Sequence, residues 1–113
     1  MAVLSDQIKQ RVLKAARILD GITPVRAVYV FGSQVEGCAH RWSDIDVGFF
    51  LEGMETWDMR RCAQTMYQVQ QGAGLDIEAH LFPARLLKEC EPASFAAYIM
   101  THGVSIPLEE VAA

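Results

Sequence analysis

Two short polar motifs lie close together in the first half of this 113-residue chain. Gly32 and Ser33 follow an apolar run, and after ten intervening residues come Asp44 and Asp46, separated by one residue. A serine beside free backbone N–H groups at a helix N-terminus forms a site for phosphate. Carboxylate oxygens are ligands that magnesium prefers. The two motifs together predict a site for a metal ion and a phosphate-bearing ligand.

The alternation of apolar and polar residues indicates which way the aspartates point. The segment DIDVGFFL, residues 44–51, is typical of a strand with its apolar side chains on one face and Asp44 and Asp46 on the other. Residues two apart on a strand have Cα atoms about 6.5–7 Å apart, so both carboxylates can reach one metal or a pair of metals. Such a pair repels itself unless a cation or a proton neutralises it.

A second alternating segment, LDIEAHLF at residues 75–82, predicts the clearest strand of the chain. Its polar positions are Asp76, Glu78 and His80, and its apolar positions fall on the opposite face. If this strand neighbours the aspartate strand in one sheet, all the carboxylates emerge on the same face. We expect that face to be free of helices, because each apolar face must be covered to be buried. Any of the three polar side chains could then be the best-placed group.

The remaining periodicity predicts one α+β domain over residues 1–113, a small mixed sheet covered by helices on one face. In the helix that follows the aspartate strand, the more apolar positions are Met59, Cys62, Ala63, Met66, Tyr67 and Val69. The predicted helices span residues 5–20 and 55–71, with short ones after Pro83 and from Pro92 to His102, and the predicted strands span residues 25–31, 44–51 and 75–82, with a short terminal strand in residues 104–108.

Composition narrows the classes of function. The net charge of -4 argues against a general nucleic-acid binder, although a metal ion could still bring in a single nucleotide. Three cysteines without a C-x-x-C pair suggest neither a disulfide framework nor a zinc site and fit a reducing cytosol. The chain starts without a signal-peptide pattern and has no apolar run of about 18 residues. A soluble, cytoplasmic protein with no membrane association is therefore expected.

The two motifs also carry a family resemblance. Gly32-Ser33, ten intervening residues and the run Asp44-Ile45-Asp46 match the signature of the polymerase-beta-like nucleotidyltransferase superfamily. The short chain resembles the minimal nucleotidyltransferase branch of that superfamily, the MNT proteins. The resemblance covers the core from about residue 25 to residue 82, and it implies a sheet like that of the polymerase-beta palm.

The resemblance implies a role for each site residue. Asp44 and Asp46 would hold Mg2+ on a nucleoside triphosphate, while Gly32, Ser33 and the nearby backbone would hold its outer phosphates. Asp76 would be the third acidic residue, binding the catalytic metal and helping to deprotonate the attacking hydroxyl. In-line attack on the α-phosphorus would then release pyrophosphate.

Partners and alternatives follow from the same resemblance. ATP would be the nucleotide, and the acceptor of AMP would be an all-helical HEPN-type protein, as in MNT antitoxins. The protein could also form a homodimer. Glu36 stands where the family often has arginine, which favours an alternative in which a weak or inactive module neutralises its partner by contact. Ser33-x-x-Glu36 is also a plain helix capping box. An aminoglycoside-modifying enzyme fits less well, because such enzymes carry an extra helical domain.

Overall fold

The computed structural model describes residues 4–32 and 44–112 of the chain. Within these ranges it has helices and strands in the order expected for a small α+β domain, with a 3-10 turn at Met54–Thr56. The helices are α1 (Asp6–Asp20), α2 (Met59–Ala73), α3 (Leu86–Glu89), α4 (Phe95–His102) and α5 (Leu108–Ala112), and the strands are β1 (Val25–Phe31), β2 (Ile45–Leu51), β3 (Ile77–Pro83) and β4 (Val104–Ser105). None of the helices in these ranges is long and apolar enough to cross a bilayer.

The strands form one mixed sheet in the order β3-β2-β1-β4. β1 pairs antiparallel with β2 and with β4, while β2 and β3 run parallel. A parallel pair needs a crossover connection, and α2 supplies it between β2 and β3. The predicted α+β class with a mixed sheet is therefore confirmed.

Side-chain caps fix the helix starts. Ser5 accepts a hydrogen bond of 3.2 Å from the Ile8 N–H and so caps α1, close to the predicted start of this helix at residue 5. Asp58 caps α2 in the same way, with 2.8 Å to the Arg61 N–H. Because of this cap α2 begins at Met59, later than the predicted start at residue 55.

Helices α1 and α2 pack on one face of the sheet and bury the main core. The buried positions of α1 recur at helical spacing, so this helix presents one apolar face to the sheet. β2 is buried at every position except the half-buried Asp46, so both faces of this strand are largely covered. Each large side chain buried here stabilises the fold by about 1.5–3 kcal/mol. This core includes Val12, Ala16, Leu19, Val28, Val30, Ile45, Val47, Phe49, Val69 and Ile77.

Helix α4 covers part of the opposite face, which the sequence led us to expect uncovered. Gly48 of β2 makes room for it, because a Cβ there would lie 3.2 Å from Cγ2 of the fully buried Ile99. The rings of Phe50 and Phe82 stack beside this contact at 5.2 Å. The polar side chains of the strands therefore emerge beside an aromatic cluster, formed by Phe31, Phe50, Phe82 and Phe95.

Several of the predicted apolar positions are exposed instead. Leu75 keeps 76% of its surface because β3 begins only at Ile77, after a turn. In α2 the buried positions are Thr65, Val69 and Ala73, so the helix is rotated relative to the predicted apolar set, and Met59 is 90% exposed.

Candidate active site

The parallel register of β2 and β3 brings three polar side chains together. Asp46 lies opposite Glu78, and Gly48 lies opposite His80. Neighbouring strands are about 4.8 Å apart, and side chains two residues apart on a strand share a face. Asp46, Glu78 and His80 therefore form one group on the face that α4 partly covers, which we call the acid–histidine cluster.

The cluster has the spacing of a cation site. One ligand atom from each of the three side chains lies within 4.8 Å of the other two. His80 Nε2 is 3.6 Å from Asp46 Oδ1 and 3.9 Å from Glu78 Oε1. Carboxylate oxygens suit Mg2+, and an imidazole nitrogen suits first-row transition ions. The donor set thus fits a divalent metal ion.

The pKa of Glu78 reflects the negative charge of the cluster. Partial burial raises the pKa of Glu78, and so do the neighbouring Asp46 carboxylate and, more weakly, Asp44, while His80 lowers it. The Glu78 side chain keeps 52% exposure, so water still reaches it and the Asp46 charge acts on it more strongly than burial does. A bound cation would remove that repulsion.

Gly32 lies directly against the cluster. Its φ of 77° is in the left-handed region that favours glycine. A Cβ at this position would lie 2.6 Å from Asp46 Oδ2. Among the described residues, the group that lies closest to this glycine's open side is therefore the Asp46 carboxylate.

Of two further predicted site residues, Asp44 and Ser33, the structure describes only Asp44. Asp44 is exposed and directly precedes β2, close enough for its charge to act on Glu78. Ser33 and Glu36 lie outside the described residues, so their roles remain predictions.

Asp76 is held by a different partner. Arg11 of α1 forms a two-pronged ion pair with its carboxylate, with 2.8 Å from Nη1 to Oδ2. The same guanidinium donates to the Ala73 carbonyl oxygen at 3.2 Å. The Arg11 hydrogen bonds hold the pKa of Asp76 below its usual value. Among the described residues, then, Asp76 lies in this pair and not in the acid–histidine cluster.

The sequence contained a signal for Glu78 and His80, because both share the polar face of their strand with Asp76. Choosing among the three requires the register of β3 against β2, which one strand's alternation does not contain. Arg11 was missed altogether, since nothing in a helix sequence indicates which distant carboxylate its arginine meets.

Comparison with known proteins identifies the family. The family model described as the nucleotidyltransferase domain matches residues 9–105. No curated protein matches the chain. A crystal structure of a Sulfolobus solfataricus protein assigned to the nucleotidyltransferases is 23% identical, with 72% of this chain and 75% of that chain covered and a TM-score of 0.49. Because the family model spans most of the sequence, this chain belongs to the nucleotidyltransferase domain family, the polymerase-beta-like transferases that act on nucleoside triphosphates.

Proposed function

We propose that this protein is a Mg2+-dependent enzyme that transfers AMP from ATP to a hydroxyl group of an acceptor. The observation that carries the proposal is the register of β2 and β3, which sets the Asp46 carboxylate beside that of Glu78. Gly32 supports it, because its turn lets the strand end approach the Asp46 carboxylate closely.

The metal would be held by Asp44, Asp46 and Glu78. Glu78 fits the third position because it faces Asp46 across the strand pair, whereas Arg11 already neutralises Asp76. The sequence-based prediction that Asp76 is the third catalytic carboxylate stands as the competing assignment. Variants at the two positions separate the assignments.

The reaction would be an in-line displacement at phosphorus. The bound divalent ion would neutralise charge on the triphosphate and on the departing pyrophosphate. Gly32, Ser33 and the adjacent backbone would hold the outer phosphates. The acceptor oxygen forms a bond to the α-phosphorus, the bond to the α–β bridging oxygen breaks, and pyrophosphate leaves. The hydroxyl proton would pass to a carboxylate of the site as the new bond forms.

The acceptor would be a separate protein, of the HEPN type that the resemblance to MNT proteins implies. The exposed apolar side chains of α2, among them Met59 and Tyr67, offer a surface that a protein partner could cover. Binding of such a partner without transfer is the alternative function.

Calorimetric titration of ATP, with and without Mg2+, tests the proposal. Wild-type protein should bind only with the metal, and Asp44→Asn combined with Asp46→Asn should lose binding. Glu78→Gln should weaken metal-dependent binding while Asp76→Asn retains it; the reverse would favour Asp76 as the third ligand. Glu52→Gln, at the far end of β2 in a pair with Arg26, is the matched control.

Transfer itself needs its own assay. ATP labelled at the α-phosphate should mark the acceptor protein and release unlabelled pyrophosphate, and the double aspartate variant should do neither. Tight binding of the partner without label, from an enzyme that binds metal and ATP, would support the contact-only alternative.

A further inference from the structure

In the acid–histidine cluster, Nε2 of His80 lies too far from both carboxylates for a hydrogen bond but close enough to share a metal ion with them. Nε2 lies 3.6 Å from Asp46 Oδ1 and 3.9 Å from Glu78 Oε1. An N–H···O hydrogen bond spans about 2.7–3.2 Å, so neither contact is one. Two ligands that each lie about 2.1 Å from one ion are at most about 4.2 Å apart, and both distances fall inside that limit.

The same nitrogen has no other use in the part of the chain that the structure describes. It is shielded from solvent and has no hydrogen-bond partner there. The ring is kept in place by Phe31 and Phe95, whose centroids lie 5.2 Å and 5.5 Å from that of the imidazole. Nε2 is therefore fixed beside the two carboxylates.

The ligand preferences of metal ions indicate which metal a site with the His80 nitrogen would favour. Mg2+ takes oxygen ligands, whereas imidazole nitrogen favours first-row transition ions. We infer that His80 is a further protein ligand of the metal, beside the carboxylates, through Nε2, and that it makes the site bind Mn2+ more tightly than Mg2+. The inference rests on the proposed function, since it adds a ligand to the metal site proposed there.

Electron paramagnetic resonance of Mn2+ provides the test, because it reads binding and ligand type without an activity assay. Tag-free protein is titrated with Mn2+ and then with competing Mg2+, and pulsed spectra of the bound ion report coupling to nitrogen. The variants are His80→Gln, Asp46→Asn and, as the matched control, His102→Gln. His102 is an exposed histidine of α4 whose ring packs on Tyr98 at 4.5 Å. Circular dichroism confirms that each variant is folded.

The expected result has two parts. Wild-type protein and His102→Gln should bind Mn2+ with nitrogen coupling and release it only to a large excess of Mg2+. His80→Gln should lose the coupling and bind Mn2+ at least about tenfold more weakly, since even outer partners of a metal ligand are worth 10–100-fold. Its affinity for Mg2+ should change by much less.

Contrary results separate this inference from the proposed function. Mn2+ bound by wild type without nitrogen coupling, or equally well by His80→Gln, overturns the role of His80 and leaves the carboxylate site intact. Mn2+ binding that Asp46→Asn does not weaken overturns both.

Discussion

Two glycines with nearly the same φ allow the role of Gly32 to be isolated. Gly32 has φ of 77° and Gly53 has φ of 73°, so alanine should cost each position about 1–2 kcal/mol of backbone strain. A Cβ on Gly32 would meet Asp46 Oδ2 at 2.6 Å, whereas one on Gly53 would meet only Thr23 Oγ1 at 4.0 Å. We therefore expect Gly32→Ala and Gly53→Ala to lower the free energy of unfolding similarly. Only Gly32→Ala should weaken metal-dependent ATP binding.

Urea denaturation and calorimetry on the same two variants check this expectation. Equal losses of ATP affinity would mean that the effect comes from the backbone, and the contact between Gly32 and Asp46 would then be irrelevant to the site.

Glu78 should reduce the stability of the metal-free protein. Its pKa is raised in the folded state, so its contribution to the free energy of unfolding is fully present below its ordinary pKa. That contribution is lost as the pH rises through the raised value. At neutral pH the ionised carboxylate therefore opposes folding. We expect Glu78→Gln to raise Tm by about 1–3 °C without metal, because charges this exposed are worth well under 1 kcal/mol. Differential scanning calorimetry at neutral pH measures the shift.

With Mg2+ or Mn2+ added, the wild-type protein should instead have the higher Tm of the two, since only the wild-type carboxylate binds the ion. A lower Tm for metal-free Glu78→Gln than for wild type would show that the Glu78 side chain stabilises the fold in some other way. The repulsion between Glu78 and Asp46 would then not be its main effect on stability.

At the scale of elements, Arg11 connects α1 to the turn that leads into β3. It binds Asp76, and it also reaches the Ala73 carbonyl at the end of α2. We expect Arg11→Gln to lower the free energy of unfolding by about 0.2–1 kcal/mol at neutral pH, the range for exposed ion pairs. Lys14→Gln, an exposed position on the same helix, is the control.

The pH dependence of that loss identifies its source. The folded-state pKa of Asp76 is lowered, so its contribution is present above its ordinary value of about 3.9 and disappears as the pH falls through the lowered value. The difference between wild type and Arg11→Gln should therefore shrink below about pH 4. Denaturation curves from neutral to acid pH test this, and a difference that persists in acid would assign the loss to packing.

The elements could be predicted more completely than their contacts. β1 was predicted from its β-branched and aromatic residues, and β2 and β3 from alternation, although β3 begins at Ile77, two residues later than expected. The predicted start of α1 at residue 5 is one residue from the observed one. The choice of Glu78 over Asp76 as the neighbour of Asp46 depends on strand register, which is set by pairing and packing between distant segments. Coverage of the acidic face likewise comes from the contact between Gly48 and Ile99, which lie far apart in the chain.

At the scale of the whole molecule, charge sets the conditions under which the nucleotide binds. The protein carries a net charge of -4, and the described part of its site places Asp46 beside Glu78. A triphosphate that approaches without a cation meets repulsion both from the site and from the protein as a whole. A divalent ion removes the local part of that repulsion, so metal and nucleotide should bind cooperatively.

Thermal unfolding with each ligand alone and with both together measures the cooperativity. ATP without metal should leave Tm nearly unchanged. ATP with Mn2+ or Mg2+ at about 100 times the dissociation constant should stabilise the protein by about 2.7 kcal/mol, or about 10 °C in Tm for a domain of this size. Asp46→Asn should abolish the joint effect but unfold normally by itself. A metal-independent shift of the same size would mean that the triphosphate binds away from the carboxylates, because no site beside Asp46 and Glu78 could accept that charge uncompensated.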